Sequence, residues 1–351
     1  PAVFSMHNVA NSEPPAKTIV SPGTGEATIG DEIVYRISVP ATPVNAAMYD
    51  VTIIDTLDST LERVSATEIS GNNFALTDTS VPPNQVNLSI TQIPAGQQAV
   101  IELRARLRNI DGADAGVTFT NSVLYTYADT AGGPAQGGGS ADTAAIRIVE
   151  PLLNLSKSVV NATRPGSPPQ AGDILRYTLA FDASGGAAGD NFSNAFDLRI
   201  DDSLSMGLVY NGNATVSGAG NSIADPAISG DGTSTAQTLA WSLEQGNADI
   251  DIAEGTTVSV SYDVRVLDSV LGDQALSNSA TARWTGLDGA STFERNGTGT
   301  PACNDYVTGP AVTTVTTPDN TTIGKTRLQD TFGAGDSDVR IGDIVAYELR
   351  L

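Results

Sequence analysis

The sequence contains almost no cysteine and almost no histidine. Among 351 residues there is one cysteine, Cys303, and one histidine, His7. A single cysteine cannot form a disulfide within the chain, so any covalent link between distant segments must use other side chains. The two residues also provide too few ligands for a cysteine–histidine zinc site and cannot form a catalytic Cys-His arrangement. We therefore expect neither a disulfide scaffold nor a cysteine–histidine zinc site or catalytic pair.

Long hydrophobic segments are missing as well. The chain has no run of about 18 apolar residues and no basic start followed by a short apolar stretch, so we expect no membrane insertion in this segment and no signal peptide. Aromatic residues make up only 5% of the chain, and no stretch repeats apolar residues at helical spacing. Short alternating segments between turn residues predict an all-β protein.

Basic residues are scarce. The 18 lysines and arginines stand against 40 aspartates and glutamates, which gives a net charge of −22 at pH 7. This negative charge repels phosphate backbones and anionic lipid surfaces. The composition therefore excludes nucleic acid as an expected partner.

An internal repeat is the main feature that the sequence does contain. One segment occurs three times, as G-D-E-I-V-Y-R-I-S-V at 30–39, G-D-I-L-R-Y-T-L-A-F at 172–181 and G-D-I-V-A-Y-E-L-R-L at 342–351. Apolar residues alternate in each copy, and the tyrosine belongs to the apolar face. The segment predicts one half-buried strand, repeated in three modules.

Three further blocks repeat in the same order. They lie at 49–57 and 196–204, at the alternating segments that follow Gly96 and Gly255, and at 119–125 and 276–282. Short strands with turn residues between them are typical of antiparallel β-sandwiches of the immunoglobulin-like kind. We predict a closing strand of a preceding module or a linker at 1–11, sandwich modules at 12–149 and 150–317, and the opening strands of a truncated third module at 318–351.

Lysine is confined to one position of the repeat. The three lysines of the chain, Lys17, Lys157 and Lys325, each lie in the first strand of a module, and every other cationic residue is arginine. Unlike arginine, lysine can lose its proton and act as a nucleophile. Strand parity places the lysines among core positions, so we predict a buried amine in each module.

Two more polar residues interrupt the apolar faces at matching places. Asp55 and Asp202 each end an apolar row, and Asn121 and Asn278 each lie between apolar residues of a later strand. Burial of lysine, aspartate and asparagine is costly unless the three satisfy one another. Their recurrence predicts that they meet inside each module, on the first, a middle and the last strand.

A lysine, an aspartate and an asparagine are the groups that a self-forming isopeptide bond requires. Desolvation lowers the pKa of the lysine and raises the pKa of the aspartate, which leaves a neutral amine beside a protonated acid. The amine then attacks the asparagine carboxamide, the acid polarises the carbonyl, and ammonia leaves. The alternative is a hydrogen-bonded cluster of the same residues without a cross-link.

The order K-T/S-x-V, G-D-x-x-x-Y, V-T-I-I-D-T-L and T-N-S-V resembles the conserved-repeat domains of bacterial surface proteins. It is also similar to the related isopeptide-forming domains of fimbrial shafts and collagen-adhesin-type stalks. The resemblance covers both full modules and the start of the third. It implies Lys17 and Lys157 as nucleophiles, Asn121 and Asn278 as the cross-link acceptors, and Asp55 and Asp202 as the catalytic acids. Lys325, the equivalent lysine of the third module, is expected to stay unpaired because the sequence ends before an acceptor strand.

These features favour a structural stalk or fibre segment at the cell surface or in a surface filament. We expect no enzyme activity on an outside substrate, and the expected partners are neighbouring modules of the same or identical chains. One alternative is an adhesive module that binds a carbohydrate or a protein, although Trp241 and Trp284 are isolated in the sequence. Another is a filament subunit assembled by strand exchange between chains.

Acidic residues suggest calcium binding as a less favoured possibility. The acidic loops at 247–251 and 330–338 could bind calcium, but neither has the spacing of an EF-hand, and solubilising charge is the preferred interpretation. Asp50 and Asp197 also recur in the two modules. Strand parity turns both outward, which predicts a solvated surface role.

Overall fold

The computed structural model describes residues 13–70, 72, 74–319, 324–329, 341–342 and 344–350. Within these ranges the chain forms 26 strands and no helix, which confirms the predicted all-β fold. The described residues accordingly include no helix that is long and apolar enough to span a bilayer. The segment at 1–11, predicted as a closing strand or a linker, lies outside the described residues.

The first twelve strands form a β-sandwich. They are β1 (Ala16–Ser21), β2 (Glu26–Ala27), β3 (Glu32–Val39), β4 (Met48–Thr56), β5 (Leu61–Glu68), β6 (Leu76–Asp78), β7 (Gln85–Ile93), β8 (Ala99–Leu107), β9 (Thr118–Phe119), β10 (Ser122–Ala128), β11 (Gln136–Asp142) and β12 (Ile146–Ile148). One antiparallel sheet has the order β1-β3-β8-β5 and the other the order β11-β10-β4-β7-β6, while β2-β12-β9 forms a small third sheet. Buried residues from both large sheets form one hydrophobic core.

The next twelve strands form a second sandwich with a core of its own. They are β13 (Leu153–Asn161), β14 (Ile174–Ala183), β15 (Phe196–Leu204), β16 (Leu208–Tyr210), β17 (Thr215–Val216), β18 (Ser222–Ile223), β19 (Ala227–Ser229), β20 (Gln237–Trp241), β21 (Ala248–Asp249), β22 (Thr257–Val266), β23 (Ala275–Thr285) and β24 (Val307–Thr316). The large sheets have the orders β13-β14-β22-β16 and β19-β20-β15-β23-β24. In the first of these sheets, β13, β14, β22 and β16 correspond to β1, β3, β8 and β5. In the second, read from its other edge, β24, β23, β15, β20 and β19 correspond to β11, β10, β4, β7 and β6. The sequence repeat therefore corresponds to a repeat of topology.

Alternation along the strands explains how these cores form. In β8 every second residue is fully buried, and the residues between them are partly exposed. In β22 the same alternation buries Val258, Val260, Tyr262, Val264 and Val266. Each fully buried aliphatic side chain stabilises a fold by about 1.5–3 kcal/mol, so each of these strands contributes strongly to its core.

The third module is represented by one antiparallel hairpin, β25 (Gly324–Gln329) and β26 (Ala346–Arg350), with Lys325 opposite Leu349. The sequence predicted a core face that includes Tyr347 and Leu349, but these residues are 52% and 65% exposed. The reason is that the residues described for this module include no second sheet that could cover them.

A loop of the second sandwich packs against the first. This segment, residues 286–306 between β23 and β24, is called the junction loop here. Its Arg295 is only 2% exposed. The guanidinium contacts Oδ1 of Asn109 at 3.1 Å, the carbonyl oxygens of Ile110 at 3.1 Å and Ala113 at 3.0 Å, and the carboxylate of Glu150. This buried cation therefore joins the two sandwiches.

Gly30 lies at the same junction. Its φ of 95° is in the left-handed region that favours glycine. The contact with the junction loop is an additional constraint, because a Cβ at this position would lie 2.8 Å from Leu287. Phe293 of the loop also packs against the first sandwich, with the Arg106 guanidinium 3.6 Å from its ring centre.

We predict that Arg295→Ala loosens the junction. The substitution leaves the largely buried Glu150 carboxylate, whose side chain is 13% exposed, without its cation, and removing one partner of a buried pair typically costs about 3–5 kcal/mol. Hydrogen exchange should accelerate around Ile110 and Ala113, and thermal unfolding should begin at a lower temperature. Arg199→Ala, which removes a more exposed ion pair with Asp201, is the control and should cost less than about 1 kcal/mol. Equal effects of the two substitutions would contradict a structural role for the junction.

Candidate cross-link sites

In the first sandwich, the predicted lysine and aspartate meet in the space between the sheets. Lys17 lies on the edge strand β1 of one sheet, and Asp55 lies on β4 of the other. The Lys17 amine donates a hydrogen bond to the Asp55 carboxyl, and both side chains are inaccessible to solvent. The alternation of β1 has thus turned its only lysine inward, as the parity argument predicted.

Asn121 is the third member of the first site. It directly precedes β10, the neighbour of β4, and is 0% exposed. Its backbone is fixed by Thr143, whose hydroxyl accepts the Asn121 N–H and whose own N–H donates to the Asn121 carbonyl, both at 3.0 Å. Asn121 is also close enough to the Asp55 carboxyl to lower its pKa, against the larger effect of burial.

The second sandwich contains the same three residue types. The Lys157 amine on β13 lies 2.6 Å from Oδ2 of Asp202 on β15, and both side chains are inaccessible to solvent. Asn278 on β23 is 0% exposed. The hydroxyl of Tyr262 lies between the two polar partners. It donates to Asp202 Oδ2 at 2.5 Å and accepts from Asn278 Nδ2 at 2.9 Å.

Burial shifts the protonation of both pairs toward neutral forms. It lowers the pKa of Lys17 and of Lys157 to about 8, although the neighbouring aspartate acts in the opposite direction. It also raises the pKa of Asp55 and of Asp202, although the lysine opposes this shift. Desolvation disfavours every charged form, so a neutral amine beside a protonated acid becomes accessible near neutral pH.

Several polar atoms of these sites have no hydrogen-bond partner in the part of the chain that the structure describes. They are both amide atoms of Asn121, Oδ1 of Asn278, and Oδ1 of each aspartate. An unsatisfied buried polar group costs about 1–3 kcal/mol, and native proteins contain few of them. The amide carbonyls are therefore free to accept a hydrogen bond from a protonated acid.

The acceptor strands are not the last strands of their modules, which corrects the sequence interpretation. β11 pairs with the outer side of β10, and β24 pairs with the outer side of β23. The asparagines therefore lie in or beside interior strands, where neighbours on both sides fix their position.

Lys325 has a simpler environment. It is exposed, and its amine lies 4.0 Å from the ring centre of Tyr347. The equivalent contacts are 4.8 Å from Lys17 to Tyr35 and 5.4 Å from Lys157 to Tyr177. The lysine–tyrosine contact thus repeats in all three modules, whereas the aspartate contact is found in the first two.

The polar role of Tyr262 was not predicted, because its place in the alternating segment after Gly255 indicates a core residue. The available signal was its hydroxyl, because a buried tyrosine usually needs a hydrogen-bond partner. The solvated role predicted for Asp50 and Asp197 is incomplete. Both have a φ near 50°, and their carboxylates accept the N–H groups of Gly132 and Gly289 at 2.7 and 2.9 Å. They fasten the loops that follow β10 and β23.

The predicted calcium loops have different outcomes. The loop at 330–338 lies outside the described residues. In the loop at 247–251, Asp249 and Asp251 approach Asp197, and one carboxylate oxygen from each residue lies within 4.8 Å of the others. Carboxylate oxygens suit calcium, but exposed acidic groups of this kind are common without an ion. Calcium binding stays a prediction.

Solved structures with a similar fold are found among bacterial surface proteins and pilins, at low sequence identity. No family model and no curated protein matches the chain. It is similar to the C-terminal domain of the Streptococcus agalactiae AgI/II polypeptide BspA, with 11% identity and a TM-score of 0.39 over 87% of this chain and 100% of that one. It is also similar to a 35 kDa C-terminal fragment of the S. agalactiae major pilin GBS80, with 12% identity and a TM-score of 0.28 over 87% and 92%. Domains D2 and D3 of the Corynebacterium diphtheriae major pilin SpaD are similar too, with 10% identity and a TM-score of 0.29 over 80% of this chain and 88% of that one.

We predict an unusual pH dependence when the cross-link acceptors are removed. In an Asn121→Ala, Asn278→Ala variant both lysines stay amines, with a folded pKa of about 8 against 10.5 for the unfolded chain. Between pH 8 and pH 10 the unfolded chain therefore binds more protons, so the free energy of unfolding should rise with pH, by at most about 1.4 kcal/mol per pH unit for each lysine.

Denaturant titrations at several pH values measure this slope. The control adds Lys17→Met and Lys157→Met to the same variant, which should abolish the rise. The same slope with and without the lysines would mean that their amines are not desolvated in the folded protein.

Proposed function

We propose that the chain is a structural stalk or fibre segment of a bacterial surface protein, located outside the cell. In this proposal, isopeptide bonds from Lys17 to Asn121 and from Lys157 to Asn278 stabilise the two sandwiches. One observation carries it. In both sandwiches an amine, a carboxyl group and a carboxamide lie buried together, and the carboxamide oxygen has no hydrogen-bond partner among the described residues.

The chemistry follows from the environment of the three groups. The neutral lysine amine attacks Cγ of the asparagine, and the protonated aspartate donates a hydrogen bond to the carbonyl oxygen as negative charge develops there. The Nζ–Cγ bond forms, the Cγ–Nδ2 bond breaks, and ammonia leaves with the proton that the amine has lost. Asp55 and Asp202 transfer this proton and return to their starting state.

A stalk gains mechanical strength from this arrangement. Each lysine lies on an edge strand of one sheet, and each asparagine belongs to the region of the other sheet. A bond between them carries tension that would otherwise separate hydrogen-bonded strands. The buried Arg295 contacts at the junction also support this function, because they resist bending between successive modules.

We predict that the intact protein is about 34 Da lighter than its sequence, because each bond releases one ammonia of about 17 Da. Asp202→Ala should restore one ammonia, beyond the mass change of the substitution itself, while the first bond still forms. It should also lower the free energy of unfolding of the second sandwich, since the bond closes a loop of about 120 residues, for which chain entropy predicts roughly 4–5 kcal/mol.

Peptide mapping by mass spectrometry locates each bond. Asp201→Ala is the matched control, because this neighbour is only partly buried and pairs with Arg199 on the surface. It should leave both bonds intact. An unmodified mass for the wild-type chain would reject the covalent mechanism and leave a β-sandwich stalk without cross-links.

Strand exchange between chains is a second candidate, and the exposed apolar residues of β26 favour it. Tyr347→Ser with Leu349→Ser should convert any oligomer to monomer in light-scattering measurements, because the pair would form the contact surface. Val307→Ser with Val312→Ser, which alters exposed residues of β24, is the control. A wild-type chain that stays monomeric at high concentration would reject this candidate.

A further inference from the structure

The two sandwiches differ at one position beside the candidate cross-link. In the second, Tyr262 lies opposite Tyr177 in the β14–β22 pair. In the first, the corresponding partner of Tyr35 in the β3–β8 pair is Leu103. Both Tyr262 and Leu103 are fully buried, so the same place in the core holds a hydroxyl in one module and only hydrocarbon in the other.

In the second sandwich this hydroxyl completes a continuous hydrogen-bond path. The path runs from the Lys157 amine to Asp202 Oδ2 at 2.6 Å, from Oδ2 to the Tyr262 hydroxyl at 2.5 Å, and from the hydroxyl to Asn278 Nδ2 at 2.9 Å. It therefore connects the nucleophile with the nitrogen that must leave. In the first sandwich, Nδ2 of Asn121 has no hydrogen-bond partner in the described ranges.

The proposed reaction needs a proton at the far end of this path. After the amine has attacked Cγ, the lysine nitrogen carries one proton too many, while Nδ2 must gain one to leave as ammonia. Asp202 contacts the lysine nitrogen Nζ, and Tyr262 contacts Nδ2 of Asn278. General acid–base catalysis by a group within hydrogen-bond distance contributes about 10²–10⁴-fold in rate.

We propose that Tyr262 is a catalytic residue of the second module, which relays a proton from Asp202 to Nδ2 of Asn278 during isopeptide formation. The inference rests on the proposed Lys157–Asn278 bond and deepens it. As the Cγ–Nδ2 bond breaks, the hydroxyl proton moves to Nδ2, and the Asp202 proton moves to the hydroxyl oxygen. Asp202 then takes the surplus proton from the lysine nitrogen, so both residues end as they began, with one amide formed and one ammonia released.

Once the amine has attacked, Cγ is tetrahedral and Nδ2 is an amine nitrogen that can accept a hydrogen bond. The relay then needs a rotation of the hydroxyl hydrogen and a proton on Asp202 Oδ2. In the resting site the hydroxyl donates to Asp202 and accepts from Asn278, and the reverse orientation uses the same oxygen positions. Burial raises the pKa of Tyr262 well above its usual value, and the Asp202 charge adds to this effect. A free phenolate is thereby disfavoured, which suits coupled transfer of two protons.

The test follows each bond over time in the full-length chain after cell-free synthesis, by peptide mapping. Tyr262→Phe should slow formation of the Lys157–Asn278 bond at least tenfold. The Lys17–Asn121 bond in the same molecules should form at its usual rate. Tyr177→Phe is the matched control, because its buried hydroxyl has no partner within the described residues and its ring stacks on Tyr262. It should change the rate by less than about threefold, since it removes no relay contact.

Folding of the variant is checked by Trp241 fluorescence, since its ring centre lies 5.2 Å from that of Tyr262. If Tyr262→Phe does not fold, 3-fluorotyrosine placed at position 262 replaces it, because this side chain keeps the hydroxyl but makes it more acidic. A relay that donates to Nδ2 should then be faster, and a purely structural hydroxyl should leave the rate unchanged.

The outcomes separate the two proposals. Absence of the Lys157–Asn278 bond in the wild-type chain would reject the proposed cross-link itself. A wild-type bond that forms equally fast with phenylalanine at 262, or no faster with 3-fluorotyrosine at 262, would overturn the relay and leave the cross-link standing.

Discussion

The contact between a buried lysine amine and a buried aspartate is the interaction on which both sandwiches depend. Each pair joins an edge strand of one sheet to the opposite sheet, in a core whose other polar groups at the site are the asparagine and, in the second sandwich, the Tyr262 hydroxyl. Desolvation of a fully charged pair costs several kcal/mol for each ion, and burial shifts the pKa of both groups toward the neutral forms. The neutral amine is also the nucleophilic form. The cost of burying the pair and its proposed reactivity thus have one physical cause.

Strand parity explains why these residues could be located from sequence. Side chains alternate with a period of two, so a lysine in phase with apolar neighbours must face the core, and the same holds for Asp55 and Asn121. The polar role of Tyr262 has no such signal, because a tyrosine in an apolar row looks like any core residue. Its partners come from the other sheet. The junction could not be predicted from the sequence either, because Arg295 contacts residues up to 186 positions away and no periodic pattern indicates such a distant contact.

A further strand follows each acceptor, and its presence changes how the sandwiches are closed. β11 and β24 cover the outer edges of β10 and β23, which makes the acceptor strands interior. Interior strands are held by ladders on both sides, so the asparagine backbone is fixed before any bond forms. A rigid acceptor reduces the entropy lost in bringing amine and carbonyl together. In the proposed reaction, the extra strand therefore serves the site as well as the fold.

The positions of the two bonds determine which segments of a stalk would bear load. With both bonds formed, tension passes from Lys17 directly to Asn121 and from Lys157 directly to Asn278, so the chain inside each loop is bypassed. Apart from the chain before Lys17, the loaded backbone is then the stretch 122–156 and the chain that follows Asn278. Glu150 belongs to the first of these stretches and the junction loop to the second. Glu150 accepts hydrogen bonds from Arg295 and, at 2.8 Å, from the Tyr306 hydroxyl, so one buried cluster ties the two stretches together where the covalent bonds leave them unprotected.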